Sequence, residues 1–267
     1  MISGITVHMV VKNEDQWIWY SIQSVLQYVD KILITDTGST DHTVEIIKSI
    51  KSPKIKLNQI IANSRLDVTK ARQSQIDQTV TPWIWIVDGD EIYPKNLIQE
   101  VLETVKKNIY HLIVVRRFDL LGDIYHRQSE TVGAYKMFGH SGHLLIRLIN
   151  KSQFSNLHVM GEYPQESYYT KNDFCLNEID PKNIFITNHS LSHTMYLRRS
   201  SLGGNLPMFN RSKIKIETGI NISDKYPEVF DMDKPVNVPD ARQKRKYSYE
   251  LLASIITPIK NLKRKFL

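Results

Sequence analysis

The stretch WIWIVDGDEIYPKN, residues 83–96, runs from an apolar segment directly into three carboxylates placed around one glycine. The tryptophans and isoleucines predict a buried strand, so Asp88, Asp90 and Glu91 follow at its carboxyl end. Like charges at a strand end repel one another and are partly desolvated, which costs free energy unless a cation or a set of donors offsets it. What neutralises this acidic turn is therefore the first question about the chain.

Apolar segments alternate with helical patterns on both sides of this turn. The predicted strands of the first half are 4–11, 31–36, 54–61, 83–87 and 111–118. Helical patterns lie between them, for example residues 14–29, where apolar side chains recur at spacings of four, three and four. Strands that alternate with helices in this way predict an α/β fold with a mostly parallel sheet flanked by helices.

The second half of the chain is less regular and ends in a basic segment. Short strands are predicted at 143–149 and 184–187, and residues 237–246 have the composition of a linker. The lysines and arginines that follow are interspersed with regularly spaced apolar residues, which predicts a basic C-terminal helix that Pro258 should kink or end. We therefore divide the chain into a first half, a second half of the same domain and a tail: 1–120, 121–236 and 237–267.

Composition narrows the classes of protein. The chain has 267 residues, 41% of them hydrophobic, and a single cysteine, so it has no internal disulfide and no cysteine-based zinc site. The first residues lack the pattern of a signal peptide and no stretch is as long as a membrane span, which predicts a cytoplasmic protein. The net charge of +7 favours an anionic partner. The apolar spacing of the tail favours peripheral contact with an anionic membrane surface, with a basic helix packed on the domain or a disordered tail as the alternatives.

A second acidic segment, ITDTGSTD at 34–41, follows another predicted strand. Ligands of open α/β sheets bind beyond the carboxyl ends of the strands, where these two acidic segments should meet. Carboxylate oxygens at such a place suit Mg²⁺ or Mn²⁺ bound together with substrate phosphates. A cation that arrives with a diphosphate would then offset the charge, although a solvated acidic turn that caps a helix is the simpler alternative.

Four motifs occur in order along the first half: MVVKNE (9–14), ITDTGSTDHT (34–43), TKAR (69–72) and WIWIVDGDE (83–91). Together they resemble the nucleotide-binding half of family 2 glycosyltransferases, which have the GT-A fold. The resemblance covers residues 4–120 well and extends more loosely to about residue 200. It implies metal-dependent, inverting transfer of a sugar from a nucleotide-diphosphate sugar to a hydroxyl of an acceptor, which stays open among glycans, lipid-linked molecules and proteins.

The resemblance also implies which residues bind the donor. They are Asn13, Glu14, Asp36, Asp41, Lys70, Arg72 and Asp88. Asp36 is expected to contact the nucleotide base, with uracil preferred, and Asp88 the ribose or the donor sugar. Arg72 and Lys70 are expected to face the diphosphate. Helix capping by the acidic residues and by Asn13, and a solvated position for Arg72, are the structural alternatives.

The implied metal ligands are Asp90 and His193, with His193 preferred over His189 because HTMYLRRS resembles a helix start that begins with histidine in this family. Inverting transfer needs a general base for the acceptor hydroxyl. Glu162 in NLHVMGEYP is the candidate, since this segment resembles a Val-His-Glu element of the family with different spacing. Glu130 and Glu166 are the alternatives.

Two other functions stay open at this point. A nucleotidyltransferase of similar topology normally carries a glycine-rich loop after its first strand, and VVKNEDQW has no glycine. A non-enzymatic protein that binds a membrane or nucleic acid is compatible with the charge. Nucleic acid is the less favoured partner, because the basic residues concentrate in the tail and no nucleic-acid-binding motif is present.

Overall fold

The computed structural model describes residues 4–198, 215–222 and 226–266 of the chain. In chain order its strands are β1 (Ile5–Val11), β2 (Lys31–Asp36), β3 (Ile55–Gln59), β4 (Trp83–Ile86), β5 (Glu91–Ile92), β6 (Leu112–Asp119), β7 (His126–Arg127), β8 (Tyr135–Met137), β9 (His140–Gly142), β10 (Leu144–Asn150), β11 (His158–Met160), β12 (Ser167–Thr170), β13 (Phe174–Cys175), β14 (Ile184–His193) and β15 (Ile220–Asn221). The α-helices are α1 (Ile18–Leu26), α2 (Thr43–Ser49), α3 (Arg65–Gln78), α4 (Lys95–Lys107) and α5 (Tyr247–Lys265).

Eight of these strands form the central sheet in the order β3-β2-β1-β4-β10-β6-β14-β5. The pairs β2/β3, β1/β2, β1/β4 and β6/β14 are parallel, whereas β10 runs antiparallel between β4 and β6 and β5 runs antiparallel to β14. The sheet is therefore mostly parallel, and helices flank it, which confirms the predicted fold class.

Alternation along β4 shows how the sheet separates two apolar cores. Trp83 and Trp85 belong to the core cluster that contains the buried apolar residues of α1, α2 and α4. Ile84 and Ile86 belong to the other cluster, on the α3 side. Successive side chains of a strand point to opposite faces, so a strand that is apolar throughout needs both faces covered, as it is here.

The second half contains short strands that were not predicted, namely β7, β8, β9, β11, β12, β13 and β15, and one of its two predicted strands is longer than expected. β14 continues beyond the predicted 184–187 and ends at His193, because its later residues pair with β6 after an irregularity between Ile186 and Ser190. The expectation that His193 begins a helix is therefore wrong: it is the last residue of a strand. Extended backbone brings it beside Asp119, its direct partner in the register with β6.

The structure also changes two expectations about the tail. Residues 237–246 are not a free linker, since Val238 and Ala241 are buried against the body of the protein. Of the two effects expected of Pro258, a kink or an end of the helix, the second does not occur, because α5 extends from Tyr247 to Lys265 with Pro258 inside it. None of the described helices is both long enough and apolar enough to cross a bilayer.

Candidate functional site

The loops that follow β1 and β2 are joined into one unit at the carboxyl edge of the sheet. Asp36, the last residue of β2, accepts hydrogen bonds from the backbone amides of Gly38 and Ser39, both at 3.1 Å. Asn13 bridges to the same turn. Its backbone amide donates to the Ser39 hydroxyl at 2.8 Å, and its side-chain oxygen accepts from the Thr40 backbone amide at 2.8 Å. Asp36 and Asn13 thus shape a compact turn beside the end of β1.

Asp41 and Glu14 extend this unit toward α2. The Asp41 carboxylate accepts from the amides of Thr43 at 3.0 Å and Asp15 at 3.2 Å, so it supports the start of the helix, as the capping alternative predicts. Glu14 is buried, and its amide donates to the Thr43 hydroxyl at 2.7 Å. A Cβ at Gly89 would lie 3.1 Å from Glu14 Cγ, so the glycine lets the acidic turn after β4 approach the loop after β1.

Two buried arginines offset much of the negative charge of the acidic turn, and a tyrosine donates a hydrogen bond to it. Arg147 of β10 donates to Asp88 at 2.8 Å and also contacts the Glu91 carboxylate. Glu91 is fully buried and accepts from the Tyr93 hydroxyl at 3.2 Å, while Arg72 of α3 lies 3.6 Å from Asp88. Protein side chains therefore supply much of the positive charge that the sequence led us to expect from a cation.

The electrostatics of these groups follow from burial and pairing. Burial disfavours the charged form of Arg147, but the charges of Glu91 and Asp88 outweigh it and hold the pKa of Arg147 above its ordinary value. Burial, reinforced by the charge of Glu91, raises the pKa of Tyr93 well above its ordinary value, so this hydroxyl stays a donor. Arg147 thus stays charged inside the protein, where it contacts both carboxylates.

Asp90, His193 and Asp119 form a chain of contacts at the next strand ends. The two ring nitrogens of His193 face carboxylates on opposite sides: Nε2 lies 3.1 Å from Asp90 Oδ2, and Nδ1 lies 2.8 Å from Asp119 Oδ1. The Asp90 backbone carbonyl accepts from the Thr194 amide at 3.0 Å, which ties the acidic turn to the end of β14. Burial disfavours the Asp119 carboxylate, but the hydrogen bond and charge of His193 and the charge of Arg117 hold its pKa below the ordinary value.

This donor set suits a divalent cation. A neutral imidazole carries one N–H, so one of the two His193 contacts needs either a second proton or a cation between nitrogen and carboxylate. Asp119 fixes the ring as the outer partner of a metal-ligating histidine does, which leaves Nε2 beside Asp90. Among the described residues no group of three or more His, Cys, Asp or Glu side chains could hold a metal alone, so further ligands would come from substrate phosphates and water.

A cavity of about 390 Å³ adjoins the acidic turn on the α3 side of the sheet. Its walls include Arg72, Arg147, Glu166 and Tyr168. Arg72 Nε donates to Glu166 Oε1 at 2.9 Å. Four of these wall residues have a buried atom with no hydrogen-bond partner in the described part of the chain: Arg72 Nη1, Arg147 Nε, Glu166 Oε2 and the Tyr168 hydroxyl. A ligand or ordered water in this cavity would satisfy them.

The remaining predicted residues lie apart from this cluster or at its rim. Lys70 is exposed and pairs with Asp67 on its own helix at 3.4 Å. Glu162 is exposed in the loop between β11 and β12, and His189 pairs with Glu100 of α4 at 2.8 Å. Glu130 is exposed and pairs with Arg127 at 2.9 Å. Of the two histidines, His193 is therefore the one that lies at the acidic turn.

Sequence reasoning missed Arg147 and Asp119. Each had a signal: Arg147 is the one charged residue in the apolar strand LLIRLIN, and Asp119 directly follows the predicted strand 111–118. Burying a charged side chain in a strand costs free energy unless it has a partner of opposite charge, and the acidic turn could supply that partner.

A model of the family described as glycosyl transferase family 2 matches residues 6–163 of the chain. The matched region contains the joined loops after β1 and β2, the acidic turn and the loop with Glu162. The chain belongs to this family, which confirms the resemblance in its four motifs.

Two curated proteins named as glycosyltransferases are similar to part of the chain. The SPbeta prophage-derived glycosyltransferase SunS of Bacillus subtilis (strain 168) is 32% identical over 91 residues, which cover 34% of this chain and 21% of that protein. The uncharacterized glycosyltransferase RP128 of Rickettsia prowazekii is 28% identical over 97 residues, covering 36% and 31%. The matches thus span about a fifth to a third of the length of these curated relatives.

Solved structures are similar to the chain at low sequence identity. The crystal structure of S. aureus TarS has a TM-score of 0.50 and 12% identity, covering 73% of this chain and 37% of that chain. A structure of TarS residues 1–349 in complex with UDP-GlcNAc has a TM-score of 0.49 and 14% identity, covering 73% and 58%. The first likeness supports a GT-A-like fold and, at this identity, nothing finer.

Proposed function

We propose that the protein transfers a sugar from a nucleotide-diphosphate sugar, UDP-linked by preference, to a hydroxyl of a glycan, lipid-linked or protein acceptor, with inversion and with the help of Mn²⁺ or Mg²⁺. One observation carries the proposal. In a chain of this family, neighbouring parallel strands bring Asp36, Asp88 and Asp90 to one edge of the sheet, next to a cavity walled by buried Arg72 and Arg147. Acidic and basic groups at this edge suit a diphosphate bound with a cation.

The donor would lie across the joined loops. We propose that the turn at Asp36 contacts the base, with its carboxylate ordered by two backbone amides, and that Asn13, Glu14 and Asp41 line the same pocket mainly by holding both loops in place. Backbone shaped in this way presents fixed polar groups to the nucleoside. A preformed pocket lowers the ordering cost of binding.

Arg72 and Asp88 would act at the diphosphate and sugar end. Burial disfavours the charged form of Arg72, but neighbouring Tyr168, Asp88 and Glu166 hold its pKa above the ordinary value, so a permanent cation faces the cavity. Charge that develops on a departing nucleoside diphosphate is stabilised by such a fixed cation more than the ground state is. Glu166 then positions Arg72, and Lys70, which is exposed, would reach the phosphates only from the solvent side.

Asp90 and His193 would hold the divalent cation, with Asp119 orienting the imidazole. A bound Mn²⁺ or Mg²⁺ would neutralise charge on the diphosphate as it leaves. The chain's own contribution is to fix Asp90 through the Thr194 amide and the His193 ring through Asp119. Both ligands are buried, so little ordering would be needed when the donor binds.

Glu162 is the proposed general base for the acceptor hydroxyl. Its exposed carboxylate in the loop after β11 is open to an incoming acceptor, whereas Glu166 already accepts from Arg72. We expect Glu162→Gln to lower the rate of UDP release from a UDP-sugar by roughly 10²–10⁴-fold while nucleotide binding is unchanged, because only proton removal is lost. Glu178→Gln, at another exposed glutamate, is the matched control and should keep the wild-type rate. If Glu166→Gln alone lost the rate and kept nucleotide binding, the base would be Glu166.

The function itself is tested by thermal unfolding of the wild-type protein with UDP, GDP, CDP and ADP, each with and without Mn²⁺. A ligand that binds only the folded state raises the melting temperature, by about 5 °C at roughly a hundredfold excess over Kd for a domain of this size. We expect that rise with UDP and Mn²⁺ together. A folded protein that no nucleoside diphosphate stabilises would contradict the proposal.

A further inference from the structure

Helix α5 lies against the body of the protein through its polar and small residues. Ala253 is fully buried, the Tyr249 hydroxyl donates to the Lys215 carbonyl at 2.8 Å, and the Thr257 hydroxyl accepts from the Thr218 amide at 2.9 Å. The glycine at 122 permits this approach, since a Cβ there would lie 2.8 Å from Tyr249 Cζ. The docked face of α5 is therefore held by hydrogen bonds and close backbone contact.

Ion pairs near the end of α5 complete this attachment. Arg264 donates to both oxygens of Glu217, at 2.7 and 2.9 Å, and Lys260 lies 3.4 Å from the same carboxylate. Burial disfavours the Glu217 carboxylate, but Arg264, Lys215 and Lys260 hold its pKa below the ordinary value. The orientation of the helix on the body is thus fixed at both ends.

The opposite face of α5 is apolar and exposed. Leu251, Ile255 and Leu262 have exposed fractions of 55%, 57% and 59%, and Ile259 and Phe266 on the same side are exposed as well. At 3.6 residues per turn, Leu251, Ile255 and Leu262 lie about 160–180° from Ala253 around the helix axis. A helix on a protein surface normally buries its apolar side, so α5 is turned the opposite way from that arrangement.

Basic residues precede α5 and flank its apolar face near the C-terminal end. Residues 242–265 contain a single acidic residue, Glu250, and eight basic ones, which are Arg242, Lys244, Arg245, Lys246, Lys260, Lys263, Arg264 and Lys265. Lys263 and Lys265 are exposed and lie about 80° and 120° from Ala253, one on either side of the apolar stripe. Glu250 is paired with Arg245, whose guanidinium donates to the two carboxylate oxygens at 2.6 and 2.9 Å.

We propose that the outer face of α5 is a docking surface for an anionic lipid bilayer. An interfacial helix buries apolar side chains at the boundary of the acyl chains while flanking lysines meet the negative headgroups, and this face has both features in that geometry. A second copy of the chain is the less suitable occupant, because two such faces would bring their lysines together. The inference does not depend on sugar transfer, since α5 contributes no residue to the site at the strand ends.

Sedimentation of the full chain with vesicles tests the proposal. Vesicles of phosphatidylcholine alone are compared with vesicles that contain roughly one third phosphatidylglycerol, at low and high salt. Wild type should bind the anionic vesicles and release them at high salt. Ile255→Asp with Leu262→Asp should weaken binding at least tenfold. Ser254→Asp with Asn261→Asp makes the same change of charge on the same helix beside the stripe, and should weaken binding clearly less.

Each result decides the matter. Preferential loss in the Ile255/Leu262 variant, with both variants unfolding at the wild-type temperature, supports the docking surface. Absence of wild-type binding to anionic vesicles, or equal loss in both pairs, overturns it. A wild-type dimer in light scattering that only the Ile255/Leu262 variant dissociates would also overturn it, in favour of a second copy. Stabilisation by UDP is measured on the same samples, so a failure here stays separate from a failure of the proposed function.

Discussion

Asp90→Asn is expected to abolish the part of the UDP-dependent rise in melting temperature that requires Mn²⁺. Asparagine keeps the size of the side chain but removes the charge that would bind the cation beside His193 Nε2, 3.1 Å away. Wild type should gain about 5 °C from UDP and Mn²⁺ together, and the variant close to none. Thermal unfolding with UDP alone, Mn²⁺ alone and both ligands measures this difference.

The control for Asp90→Asn is Asp77→Asn, the same substitution at an exposed aspartate of α3 that accepts from Gln73. This control should show the full wild-type response. The apo form of Asp90→Asn must also remain folded, which its own melting curve shows. If that variant responded to UDP and Mn²⁺ as strongly as wild type, the cation would not bind at Asp90 and the metal site would have to be sought elsewhere.

The features that could be predicted from sequence are those set by local patterns. Apolar strands and amphipathic helices alternate in the first half, and this pattern predicts the parallel sheet and its carboxyl edge. Because the Asp36 and Asp88 loops both follow strands of that sheet, the pattern also predicts that they lie close together. Strand ends are local features, and parallel strands bring such ends together. The burial of Arg72 on α3 fits the same reasoning, because the helix faces the sheet where the acidic turn lies.

The features that sequence did not reveal depend on contacts between distant segments. β10 inserts antiparallel between β4 and β6, and only this pairing places Arg147 against Glu91 and Asp88. His193 was assigned to a helix start because the segment HTMYLRRS resembles one, whereas pairing with β6 makes it part of a strand. The inverted orientation of α5 likewise depends on Glu217 and the segment around it. Periodicity shows that a helix has two faces but not which one docks.

Arg147→Met is expected to destabilise the protein by about 3–5 kcal/mol, because it leaves the fully buried Glu91 without its cation. Methionine keeps much of the volume of the stem, so the loss reports the charge more than a cavity. The loss of its contact with Arg147 should cost Asp88 less than it costs Glu91, since Asp88 is partly exposed and keeps Arg72 at 3.6 Å. Urea unfolding at neutral pH, followed by tryptophan fluorescence, gives the free energy of unfolding for comparison with wild type.

A double-mutant cycle separates the cost of leaving the Glu91 charge unpaired from the other effects of replacing Arg147. Glu91→Gln retains an acceptor for the Tyr93 hydroxyl but carries no charge, so adding it to Arg147→Met should recover roughly 1–3 kcal/mol rather than add a further loss. Arg242→Met, at an exposed arginine that pairs with Asp240, is the matched control and should leave the unfolding midpoint unchanged. Additive losses for Glu91→Gln and Arg147→Met would contradict the pairing. If the double variant were more stable than wild type, the ion pair would lower the stability of the fold. The charge of Arg147 would then be present for its role on the cavity wall.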